Sequence, residues 1–114
     1  MPERRLSPTE DLLLDRFRER LLAAAPAGSV RSLVVFGSRA RGGSHELSDL
    51  DVAVMLAPGT DVHALRRLAC DVGWNVSEEL DLQEVGLAPV ALLPEPRQAL
   101  HDSIARDGVP VWMA

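Results

Sequence analysis

The sequence predicts an α/β domain, a small mixed sheet of three to four strands flanked by three to four helices. Two short apolar runs rich in β-branched residues, 30–36 and 50–56, are too short for buried helices and suit buried strands. Longer stretches before, between and after them carry apolar residues at helical spacing. Too few strands alternate with helices for a full doubly wound sheet. At 114 residues, the chain is expected to form one domain, 1–114.

The elements follow in order. Ser7-Pro8-Thr9-Glu10 has the pattern of a capping box with proline at the first helical position. The helix it opens would bury Leu13, Phe17, Leu21 and Ala24, and end at Pro26-Ala27-Gly28. Val30–Phe36 is the first strand, broken by Gly37-Ser38, and Leu50–Leu56 is the second, closed by Pro58-Gly59. Thr60 or Asp61 can cap a long helix burying Leu65, Leu68, Val72 and Val76. Leu80–Val85 alternates apolar and polar at first and is expected to be strand three. Gly86 and Pro89 then mark a break, and Val90–Leu93 fits either a short strand or a buried loop. Pro96 opens a last helix with Leu100 and Ile104 inward and Gly108 as its stop; Val109–Trp112 is an extended tail.

Composition excludes several functions. All twelve basic residues are arginine, so a phosphate loop with its lysine, Schiff-base chemistry and a lysine nucleophile are ruled out. A net charge of −5 argues against direct nucleic-acid binding, which needs a basic face, but permits a small anion held by local donors. No apolar run approaches a membrane span, and the amino end lacks the apolar segment of a signal peptide, so a cytoplasmic, membrane-free protein is expected. The single cysteine, Cys70, is expected to be a small buried hydrophobe. His45, His63 and His101 are scattered without metal-ligand spacing, and Trp74 and Trp112 form no evident stacking platform.

The chemistry concentrates in two segments, Phe36–Gly42 and Ser48–Val54. Asp49 and Asp51 stand two apart at the start of a strand, so both carboxylates project to one face. Their repulsion is relieved by a divalent cation, and carboxylate oxygens suit Mg2+ or Mn2+ alongside substrate phosphates. Gly37 allows close backbone approach to a ligand, and Ser38 offers a hydroxyl and an N–H suited to phosphate. Arg39 and Arg41 add charge-assisted donors. If turn and carboxylates share one ligand, the first two strands must run antiparallel. The long helix after strand two is the connection that a parallel neighbour requires, so strand three starts at the same end as strand two. Asp81 would then open strand three beside Asp49 and Asp51. Glu84 competes for this role, and its odd spacing from Asp81 lets only one of the two face the site; a place at the strand start favours Asp81.

The arrangement Gly37-Ser38-x-Ala40-Arg41-Gly42, then Ser48-Asp49-x-Asp51 and an apolar strand, resembles the signature of the minimal nucleotidyltransferases of the DNA polymerase beta-like superfamily. Leu80-Asp81-Leu82 is similar to the family's third-acid segment, and Asp107–Trp112 is in the style of its ending. The resemblance implies a mixed sheet flanked by helices and transfer of a nucleoside monophosphate from a triphosphate, ATP foremost, to a hydroxyl acceptor. It further implies that Gly37 and Ser38 grip the triphosphate and that Asp49, Asp51 and Asp81 bind metal and serve catalysis. It also implies a partner, since such proteins are often antitoxins paired with a helical HEPN-type toxin, which they silence by adding AMP to a tyrosine. The alternative is a non-catalytic nucleotide-binding or antitoxin-like module. Homo- and hetero-oligomers are both compatible with a domain of this size.

Overall fold

The computed structural model describes residues 6–37, 50–83 and 85–114. Its elements are α1 (Pro8–Ala24), β1 (Val30–Phe36), β2 (Leu50–Leu56), α2 (Val62–Glu79), β3 (Leu87–Leu92), α3 (Ala99–Asp107) and β4 (Val109–Met113). The capping box forms as the sequence predicts. The Glu10 N–H donates to Ser7 Oγ at 3.1 Å, and the Ser7 N–H donates to Glu10 Oε1 at 3.0 Å. At α2, Asp61 is the cap, its Oδ1 accepting from the Ala64 N–H at 3.1 Å.

The four strands form one sheet in the order β3-β2-β1-β4. β1 runs antiparallel to both β2 and β4, while β2 and β3 are parallel. The mixed sheet and both expected strand relations are therefore present. Alternation along the strands divides the core between two faces. Leu33, Val35, Leu50, Val52, Val54 and Leu56 pack with Leu13, Phe17 and Leu21 of α1 and Leu65, Ala69 and Val76 of α2. On the other face, Ala53 and Leu92 pack with Ile104 of α3, flanked by Val34, Phe36 and Met55. Helices thus cover the sheet from both sides.

Two arginines on the outer side of α1 reach across to α2. Arg16 Nη1 lies 3.3 Å and Arg20 Nη2 2.6 Å from Glu79 Oε1. All three side chains are a third or more exposed, so the pairing adds little beyond fixing the helix ends relative to one another.

Several expectations are corrected. Leu80–Val85 is not a strand: α2 runs on to Glu79, Leu80 is its C-cap, and the third strand is Leu87–Leu92. Pro89, taken from sequence as a break, lies inside that strand. This is tolerated because β3 is at the sheet's edge, where a residue without an N–H costs no ladder bond. Cys70 is exposed, because the buried stripe of α2 passes through Ala69, Val72, Gly73 and Val76 and turns the neighbouring position outward. The tail expected to be extended, 109–112, is so, and pairs as β4, the second edge strand, which also contains a proline, Pro110. None of the described helices is long and apolar enough to cross a membrane.

Candidate active site

β1 and β2 meet so that Phe36 pairs with Asp51, bringing the end of one strand beside the beginning of the other. The next residue, Gly37, has a φ of +79°, a left-handed conformation that side chains rarely adopt. A Cβ built on Gly37 would come within 2.5 Å of Asp51 Oδ2. The turn and the carboxylate therefore adjoin, and the absence of a side chain at position 37 is what lets the carboxylate lie against the backbone. Asp51 shares the α3 side of the sheet with Ala53 and Met55, and is half-buried. The carboxylate offers hard oxygen donors of the kind a divalent cation takes.

Of the residues the sequence singles out, Gly37, Asp51 and Asp81 are described. Ser38, Arg39, Arg41, Asp49 and the competitor Glu84 lie outside the described residues. The structure brings Gly37 and Asp51 together. Asp81 stands elsewhere than expected, in the turn that ends α2, exposed and with φ +56°. Its N–H donates to the Glu78 carbonyl at 3.1 Å, and the Leu82 N–H donates to the Ser77 carbonyl at 2.8 Å. These two bonds form a Schellman motif with Asp81 at its left-handed position, and Leu82 folds back onto the core. The geometric premise for Asp81, that it opens a strand parallel to β2, is thereby removed.

The position level with Asp51 on the parallel neighbour is Ala88. Sequence reasoning had no means of finding it, since alanine carries no chemical signal and the strand was sought seven residues too early. His101, which sequence reading left without a role, is buried and structural. Its Nδ1 accepts from the Gln98 N–H at 3.0 Å, which leaves Nε2 to donate to the Leu93 carbonyl at 2.8 Å.

A cavity of about 370 Å³ opens between α2 and the start of β3, lined by Gly73, Trp74, Ser77, Gln83 and Leu87 among others. Leu87 points to α2, since its Cδ2 lies 3.3 Å from where a Cβ on Gly73 would be. Asp51 projects from the opposite face, while the groove's lining extends along the β3 edge to Ala88, level with Asp51.

Comparison with known proteins identifies the family. The profile of the polymerase beta nucleotidyltransferase domain matches residues 22–96, which hold β1, β2, α2 and β3. The chain belongs to this nucleotidyltransferase family. Solved structures share its fold. A toxin-antitoxin crystallised with AMP-PNP matches with a TM-score of 0.59 at 18% identity, over 95% of this chain and 75% of the other. A variant of the toxin-antitoxin MntA-HpeT, in which two aspartates two positions apart are changed to glutamate, matches with a TM-score of 0.57 at 17% identity, over 92% and 73%. No curated protein matches the sequence. The three-helix, four-stranded mixed sheet is that of a nucleotidyltransferase, and the family assignment carries transferase activity with it.

Proposed function

We propose that this nucleotidyltransferase moves a nucleoside monophosphate, AMP foremost, from a nucleoside triphosphate to a hydroxyl of a protein partner, using Mg2+ or Mn2+. The observation that carries the reading is the close approach of the Gly37 turn to the Asp51 carboxylate at the shared end of β1 and β2. In this reading Asp51 and Asp49 hold the cation, which when bound neutralises charge on the triphosphate as pyrophosphate departs. The Gly37 turn brings the phosphates it holds beside the Asp51 carboxylate. Ser38 contributes its hydroxyl and N–H, and Arg39 and Arg41 bind phosphate oxygens in an otherwise acidic chain. The acceptor oxygen forms a bond to the α-phosphorus as the bond to the bridging oxygen breaks, and the acceptor proton leaves to solvent.

A protein acceptor is supported by the toxin-antitoxin nature of the structures with the same fold, one of them crystallised with a nucleotide analogue. The acidic pair altered in one of them has the spacing of Asp49 and Asp51. In this reading the partner is a helical HEPN-type toxin, and the present chain its antitoxin.

The test is incubation with α-labelled ATP, Mg2+ and the product of the neighbouring gene. Label is expected on the partner with the parent chain, reduced at least about a hundredfold by Asp51→Asn. Tight partner binding without any transfer by the parent, unchanged in Asp51→Asn, would instead assign a non-catalytic binding module.

A further inference from the structure

We propose that α2 pairs with α2 of a second copy of this chain, antiparallel, through the exposed line Arg67, Cys70, Trp74 and Glu78. The proposal concerns assembly, and it holds or fails independently of what the nucleotidyltransferase site transfers.

The outer sides of α2 differ in kind. Toward α1, Glu79 is met by Arg16 and Arg20. On the other side, residues 67, 70, 74 and 78 recur at helical spacing and are all exposed. Trp74 is 61% exposed, and it borders the groove lined by Cys70, Gly73 and Leu87, so apolar surface continues from the helix into the groove. Arg67 and Glu78 stand on either side of this apolar centre, and neither has an ion pair among the described residues. The line therefore carries a cation toward the start of the helix, apolar groups in the middle and an anion toward its end. Such a line complements itself when reversed. Arg67 and Glu78 are 11 residues apart, about three turns, and so lie along nearly one side of the helix. A two-fold axis level with Val72 and Gly73 sets Arg67 opposite Glu78 of the second copy, and Glu78 opposite Arg67 of the second copy. The same rotation lays each Trp74 against Cys70 of the other copy, at the mouth of the groove. A parallel pairing would oppose like charges, and a partner of one uniform charge would satisfy only one end of the line. From Arg67 to Glu78 the contact runs about 17 Å, so the interface belongs to the small, transient class and a micromolar dissociation constant is expected.

Sedimentation equilibrium of the full chain, from about 1 to about 500 μM, tests this. The parent is expected to pass from monomer to dimer mass, and Trp74→Ala and Arg67→Glu are each expected to weaken the dimer at least about tenfold. The double variant Arg67→Glu with Glu78→Arg exchanges the two ends of the line. It should associate within about threefold of the parent, a restoration that only a self-paired surface gives. The substituted positions are exposed, and circular dichroism checks that each variant folds. Should Trp74→Ala fail to fold, the charge variants still decide. Monomer mass throughout the range overturns the proposal, as does a dimer that none of the substitutions weakens. A double variant no stronger than Arg67→Glu alone also overturns it. A parent that stays monomeric but binds the product of the neighbouring gene, and loses that binding in Trp74→Ala, assigns the surface to a different protein and overturns it as well.

Discussion

Gly37 meets two demands at once, a left-handed backbone and a carboxylate oxygen occupying the space of its missing side chain. Gly37→Ala is expected to cost about 1–2 kcal/mol of stability, from the left-handed conformation. It should also push the Asp51 carboxylate aside, so that nucleotide binding measured by calorimetry falls far more than the melting temperature. Asp81 occupies a left-handed position too, but one that ends a helix. Asp81→Gly should raise stability in urea unfolding by about 1 kcal/mol, because glycine adopts that conformation without penalty, and should leave transfer intact. At this scale the glycine and the Asp51 carboxylate were legible because their chemistry depends on local spacing. Asp81 was misplaced because Leu-Asp-Leu reads equally as an alternating strand or as the two residues around a helix stop, and only the backbone bonds from Ser77 and Glu78 separate the two.

Among elements, the first two strands emerge with the boundaries their β-branched runs predict, and α1 and α2 with the caps their side chains predict. The third strand was legible only in part, as the short-strand alternative for Val90–Leu93, for a reason of position. A proline rules out an interior strand but not an edge, and the sequence alone does not say which strand lies at the edge. The start of α3 was likewise placed early, at Pro96, whereas Gln98 is the cap and the helix begins at Ala99. His101 fixes this junction, bonding the Gln98 N–H before the helix and the Leu93 carbonyl after β3. His101→Ala leaves two part-buried main-chain groups without their side-chain partner. A loss of about 1–3 kcal/mol is expected in chemical denaturation.

For the whole molecule, the sequence argument that strands one and two run antiparallel and strands two and three parallel holds, although strand three is a different segment. Connection length carries that information, and it survives an error in where the strand begins. The last residues close the fold: β4 pairs with β1, and Trp112 packs against the core that α1 and α2 cover. Trp112→Ala should lower the unfolding free energy by about 2–3 kcal/mol, less than for a fully buried tryptophan since the ring is partly exposed, and tryptophan fluorescence would then report Trp74 alone.

The prolines of the two outermost strands have a consequence for assembly. Each rim of the sheet has one main-chain donor fewer, so a second copy trying to extend the ladder meets a gap at either end. Higher-order association through continuous strands is opposed from both directions, and any companion protein is left to engage helices or loops.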